Sequence, residues 1–223
     1  MGGFGGYVVF EFDHEVKNIE GTDFVIFGNA FSGRSEPGIV EVSLDGTTWH
    51  RLRGSEEETD GTIRDYTIDY ERPDNLSQAA PIAWHDNRNE NGTIDPTSSP
   101  YHGQSYWPSF LTDNPTTLNF SGTRLPDNAS WNETTQRYVL AAFEWGYADN
   151  WSADYTETVG NDPDTRNSNK FDLDQAVDAS DRSVSLTSIR FVKVYTALNQ
   201  QVDGGLGETS TEICGALSLS AGR

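Results

Sequence analysis

The stretch Glu36-Pro-Gly-Ile-Val-Glu-Val-Ser-Leu-Asp-Gly-Thr-Thr-Trp-His-Arg-Leu52 decides the fold class. It predicts a strand, a two-residue Asp45-Gly46 turn and a second strand carrying Trp49, because Asp-Gly supplies the positive φ angles of a tight hairpin. Val40, Val42 and Leu44 alternate with polar residues, which places one face of the first strand in a core. Trp49 is expected to pack against that scaffold rather than to form a site.

Working outward, the same signals recur along the chain. Tyr7–Asp13 alternates Val8, Phe10 and Phe12, and Asp23–Phe27 is a continuous apolar run suited to a central strand. Ile63–Tyr70, Thr117–Phe120, Arg137–Phe143, Ser183–Leu186, Ile189–Thr196 and Glu212–Leu219 are further strand candidates. Only Phe171–Ala179 reads as a short helix, with Asp172 and Asp174 near its start, where the helix dipole favours anions. Many strands and at most one short helix predict an all-β, two-sheet antiparallel β-sandwich with long loops at 72–116 and 148–170. At 223 residues this is expected to be a single domain spanning 1–223.

Composition excludes several functions. A formal net charge of −20 repels phosphate backbones and anionic lipid, so neither nucleic acid nor a membrane surface is an expected partner. The longest apolar run, 138–143, is far too short to span a bilayer. One cysteine, Cys214, cannot form an intramolecular disulfide, and its Ile213-Cys-Gly-Ala context predicts a buried small hydrophobe. The abrupt start before the first strand is read as that of a piece of a longer secreted protein.

Four segments carry a family likeness. They are Phe27-Gly-Asn-Ala-Phe31 with Glu36-Pro-Gly38, Glu144-Trp-Gly-Tyr-Ala-Asp-Asn150, Phe171-Asp-Leu-Asp-Gln-Ala-Val-Asp178, and Phe191-Val-Lys-Val-Tyr-Thr196 with Gly207-Glu-Thr-Ser-Thr-Glu-Ile-Cys-Gly215. On these the chain resembles secreted cell-surface proteins of Bacteroidetes and related bacteria, often associated with PKD-like modules and similar to jelly-roll, galactose-binding or discoidin-like carbohydrate-binding modules. The resemblance implies export and an extracellular or outer-surface location, sometimes beside nutrient-uptake systems that include corrinoid uptake. It implies no reaction. Where relatives insert an Asp/Asn/Gly-rich loop, this chain has only Asp45-Gly46-Thr47-Thr48, so no calcium loop carries over there.

Oxygen-rich groups are the first candidate chemistry, since calcium takes many hard oxygen ligands. Asn87–Asp95 mimics the first nine positions of an EF-hand loop, but Asn87 stands where Asp belongs and Ser98 where a bidentate Glu belongs. A second group joins Asp149 and Asn150 to Asp172 and Asp174. A third joins Asn29 and Glu36 to Glu208 and Glu212, because a jelly roll brings its first and last strands together. In each case the competing reading is that these residues cap turns and satisfy backbone groups. Aromatic residues are the second resource. Tyr101, His102, Tyr106 and Trp107 in one long loop, and Trp145, Tyr147 and Trp151 around another, could stack on sugar faces beside amides and carboxylates. Their competing role is to anchor the loops. No nucleophile elbow, zincin or Cys/His zinc motif is present in the sequence.

The resulting expectation is a non-catalytic surface or secreted binding module, calcium-stabilised, that captures a glycan or another small nutrient ligand such as a corrinoid. It would work beside other surface modules of the same protein or uptake system. The alternatives are a glycan-active hydrolase using an Asp/Glu pair and a purely structural adhesion or spacer domain.

Overall fold

The computed structural model describes residues 5–76, 80–95, 105–108, 110–197, 199, 201–202 and 207–220. Among these the first strands are β1 (Tyr7–Lys17), β2 (Phe24–Phe27), β3 (Gly38–Ser43), β4 (His50–Leu52), β5 (Ile63–Glu71), β6 (Ile82–Asp86), β7 (Asn91–Ile94) and β8 (Thr117–Arg124). They continue with β9 (Ala129–Asn132), β10 (Arg137–Leu140), β11 (Asn169–Phe171), β12 (Ala176–Val177), β13 (Ser188–Thr196), β14 (Gln201–Val202), β15 (Gly207–Glu208) and β16 (Gly215–Ser218). The ladders are antiparallel. They form a five-stranded sheet in the order β1-β13-β3-β4-β12, a three-stranded sheet β11-β2-β16, a four-stranded sheet β7-β6-β5-β8, and the pairs β9-β10 and β14-β15. The protein is therefore all-β.

The main core lies between the five-stranded and three-stranded sheets. Val40 and Val42 of β3 and Val192 and Val194 of β13 pack into one cluster with Phe24 and Ile26 of β2 and Phe171 of β11. Phe24 and Phe171 stack with their ring centroids 5.3 Å apart. Each fully buried side chain of this size contributes about 1.5–3 kcal/mol over its exposed state. β2 is buried on both faces, as its unbroken apolar run requires of a central strand. The opposite face of the five-stranded sheet is covered as well. Ile39 and Tyr195 join Leu125, Phe143 and Tyr147 in a second cluster, and the Tyr195 hydroxyl accepts a hydrogen bond from the Thr123 amide of β8 at 3.0 Å. A third cluster gathers Tyr66, Ile68 and Tyr70 of β5 with Ile82, Ile94 and Trp107. Phe120 touches both of these clusters.

Local chemistry redraws several expected elements. Between β3 and β4 the turn is wider than two residues, because Val42 pairs with His50. Ser43 Oγ accepts from the amides of Asp45 and Gly46, and Asp45 Oδ1 accepts from those of Thr47 and Thr48. These side-chain bonds replace the ladder, and they hold the Asp45 carboxyl well below its usual range. Leu44 is consequently 51% exposed instead of core-facing. Residues 183–186 form no strand beyond an isolated bridge from Ser183 to Val177. The expected helix at 171–179 is a single 3₁₀ turn, Leu173–Gln175, between β11 and β12; a second such turn spans Pro163–Thr165. Cys214 is exposed, so its apolar neighbours do not bury it.

The loop that mimics an EF-hand is a β6–β7 hairpin. Asp86 Oδ1 accepts from the amides of Arg88 and Glu90, both at 2.9 Å. Asn87 bonds the backbone of β5 through Thr67 and Asp65. Their oxygens and amides therefore serve the turn, and Gly92 lies in β7 close against Trp84. Ser98 lies outside the described residues. Asn89 takes the left-handed conformation with φ 64°. Asn89→Val is expected to cost about 1–2 kcal/mol, since a β-branched residue tolerates that region poorly, whereas Asn89→Gly should be close to neutral. Urea unfolding of the two variants checks the difference.

Candidate metal centre

Asp149 follows a segment that is tied to the start of β3 by reciprocal 3.0 Å backbone bonds between Gly38 and Ala148. Its own backbone is left-handed, with φ 53°, a conformation that Asp reaches more readily than most residues. The turn aims the carboxylate back at the end of β2. There Asp149 Oδ1 accepts from the Asn29 amide at 2.9 Å, and Oδ2 accepts from the Glu212 amide at 2.9 Å. Gly28 makes this approach possible, because a Cβ on residue 28 would lie 2.5 Å from Asp149 Oδ1.

Two further carboxylates meet Asp149. The Glu36 amide donates to the Asp149 carbonyl at 3.0 Å, and Glu36 Oε1 accepts from the Ser210 amide at 2.9 Å. Glu212 Oε1 accepts from the Ser210 hydroxyl at 3.1 Å, while its Oε2 is buried with no hydrogen-bond partner. One carboxylate oxygen from each of Glu36, Asp149 and Glu212 lies within 4.8 Å of the others. Three segments far apart in sequence thus deliver three acids to one place.

The electrostatics of this cluster are unfavourable without a counter-charge. Asp149 is 1% exposed, and burial, with the nearby Glu212 charge adding to it, pushes its carboxyl up to about 7. Burial also pushes Glu36 up to about 8, reinforced by Glu212 and Asp149. Backbone amides pull the other way in both cases, but the upward terms win. Among the described residues no Lys or Arg is paired with any of the three. Either a proton or a cation must therefore relieve the repulsion at neutral pH. A hard divalent cation fits the all-oxygen donor set.

The second and third oxygen-rich groups expected from the sequence regroup accordingly. Glu36 and Glu212 do come together, and Asp149 joins them. Asn29 contributes its backbone amide while its side chain is exposed. Glu208 lies on β15 opposite Gln201, outside the converging trio. Asn150 is fully buried and spent on structure. Its side chain exchanges 2.8 Å bonds with the backbone of Phe143, and its own backbone exchanges bonds with the Asn169 amide group. Asp172 and Asp174 do not meet Asp149 in the cluster. Asp172 caps the 3₁₀ turn through the Asp174 amide at 2.8 Å, and Asp174 accepts from Asn18 at 2.9 Å. The buried acid near them is Asp23, which accepts from the amides of Ile19 and Leu173. It had no flag in the sequence beyond standing at the head of an apolar run.

Among the described residues the candidate aromatics do not gather into one platform. Trp107 is only 5% exposed and belongs to the third core cluster, against which Tyr106 also packs. Tyr147 is buried, with its hydroxyl accepting from the Glu56 amide at 2.9 Å. Trp151 is half-buried against Tyr155, ring centroids 5.0 Å apart. Trp145 is 41% exposed. Tyr101 and His102 lie outside the described residues. Trp107 and Tyr147 are thus anchors that fasten loops to the sheets. The sequence matches no protein-family model, and no curated protein is significantly similar to it.

Proposed function

We propose that this chain is a calcium-stabilised, non-catalytic binding module of the outer cell surface or the secreted space, capturing a glycan or another small nutrient ligand. The convergence of Glu36, Asp149 and Glu212 without a paired cation carries the reading. Extracellular calcium modules bind weakly, with Kd about 10⁻⁴–10⁻³ M, which suits a site with only three carboxylates and remaining positions for backbone oxygens or water. The family resemblance and the strongly acidic surface agree with export. Packing of the five-stranded on the three-stranded sheet supports a two-sheet sandwich of the jelly-roll type. The near-complete burial of Asp149 favours a structural cation over a glycoside-cleaving acid pair, because a catalytic carboxyl must touch its substrate.

Isothermal titration with CaCl₂ is expected to reveal one site. Asp149→Asn and Glu36→Gln should each weaken it about tenfold or more, a loss of roughly 1.4 kcal/mol. Asp174→Asn, on the 3₁₀ turn, should leave it unchanged. Equal calcium binding by Asp149→Asn and the parent protein would remove the proposed centre. For the ligand, a glycan array and a cobalamin binding assay are run in calcium and again in EDTA. Silence in both, with the protein folded, would leave the spacer-domain reading.

A further inference from the structure

A groove of about 380 Å³ runs along the seam where the five-stranded sheet meets β5 and β8 of the four-stranded sheet. We propose that this groove is the ligand subsite, and that it takes a neutral saccharide stacked on Trp49. The inference rests on the capture-module reading above and gives it a place and a ligand class.

The walls are held in position independently of any ligand. Arg51 of β4 is bonded to Glu57 and Asp181, and Arg64 of β5 reaches Asp181 at 2.9 Å. This latch joins β4, β5 and the loop after β12 and leaves Arg51 little to offer a ligand. On the β5 side the register against β8 shifts between Ile63 and Tyr66. Asp65 lies inside that bulge in the left-handed region, with φ 53°, and its side chain is exposed at the groove. Bulges of this kind re-aim a side chain out of its sheet. Next to it Thr67 Oγ1 and Ser121 Oγ sit 3.2 Å apart across β5 and β8. Trp49, half-buried, lines the same groove, as does Asp178.

The chemistry selects the ligand. A volume near the lower end of the ~300–1,000 Å³ range of small-molecule sites suits a mono- or disaccharide. An anion would face the exposed Asp65 carboxylate and a chain of net charge −20, while Arg51 and Arg64 are already committed to carboxylates, as are the Arg182 and Lys193 that pair with Asp178 and Glu41. A large apolar ligand would take the exposed Asp65 carboxylate out of water without offering it a hydrogen bond. A neutral sugar avoids both costs. Its hydroxyls can donate to the exposed Asp65 carboxylate and exchange bonds with the rotatable Thr67 and Ser121 hydroxyls, while its C–H face covers the indole.

The test uses the whole chain in calcium. It is applied to an array of neutral oligosaccharides (glucan, xylan, mannan and chitin fragments) beside uronic-acid and sulfated ones. Calorimetry then follows with the best neutral binder. Trp49→Ala is expected to weaken that binding about tenfold or more, with Trp49→Phe recovering part of it. Ser121→Tyr, at an exposed position, should fill the groove and abolish binding without changing the melting temperature. Trp131→Ala, which alters an exposed ring outside the groove, should bind as the parent does. Undiminished binding by folded Trp49→Ala and Ser121→Tyr would overturn this placement and leave the capture reading standing. Recognition restricted to anionic sugars would overturn the ligand class. An array silent to every saccharide would overturn the glycan reading and the subsite with it.

Discussion

Removing calcium at pH 8 is expected to lower the unfolding midpoint by roughly 5–10 °C. A ligand at 100 times its Kd stabilises by about 2.7 kcal/mol, and a domain of this size shifts by about 2–4 °C per kcal/mol; calcium at ~10 mM reaches that ratio for a Kd of ~10⁻⁴ M. The effect should depend on pH with a definite sign. Glu36 and Asp149 titrate near 8 and 7 in the folded chain, against about 4 when unfolded. Between those values the folded state holds more protons than the unfolded one. The metal-free protein is thus most stable below about pH 4, as far as these two groups are concerned, and loses that contribution as pH rises to about 8. On the proposed function calcium would replace the protons, so its stabilisation should grow over the same window. Calorimetric melts at pH 5, 6.5 and 8, with calcium and with EDTA, read this directly. A calcium increment that shrinks as pH rises from 5 to 8 would contradict the assignment.

Gly146→Ala is expected to cost about 2–5 kcal/mol, the sum of a left-handed residue carrying a Cβ and of overpacking. Gly146 has φ 88°, and its Cβ would fall 2.5 Å from both the Arg53 carbonyl and the Gly54 Cα. Those are backbone atoms, so no rotamer change clears the space. The segment at 53–55 is itself fixed by bonds from the Arg53 amide to Gln175 and from the Ser55 amide to Trp145. Gly54 has the reciprocal problem, because a Cβ there would meet the Tyr147 ring at 2.3 Å. The crossing also sets the position of Asp149, three residues further on. The loss of stability should therefore be accompanied by weaker calcium binding. Gly160→Ala is the control: its φ is 60° but nothing lies within 4 Å, so only the backbone term remains. Equal unfolding midpoints for the two alanine variants would show that the crossing is not tight.

How much of this was legible in the sequence depends on the range of the interaction. β2 announced itself, because Phe24-Val-Ile-Phe27 leaves no polar face to expose. Val192 and Val194 likewise showed which side of β13 faces the main core. The Asp45-Gly46 turn was misread although its chemistry was visible, since Ser43 and Asp45 compete with the ladder for the same amides. β6 and β7 were hidden inside a nominal loop, where Asn87-Arg-Asn89 sets the turn and Gly92 is a strand residue packed on Trp84. At the site, strand topology groups Asn29, Glu36, Glu208 and Glu212, of which Glu36 and Glu212 converge. It assigns Asp149 to a different group, with Asn150, Asp172 and Asp174, because the approach to Glu36 depends on a left-handed backbone and on the missing side chain of Gly28. Trp107 reads as a candidate sugar platform because it lies in a long predicted loop, yet it is buried in one cluster with Tyr66 and Ile68.

The acidic centre has a further consequence for a chain with a single cysteine. Glu36 takes the amide of Ser210, 174 residues away, and Asp149 that of Glu212, 63 residues away. An ion held by all three carboxylates would join positions that distant, closing a loop that spans most of the chain. Its grip would follow the free calcium around it, where a disulfide follows the redox poise of its compartment. The chain would carry a removable staple, fastened outside the cell and loose inside it.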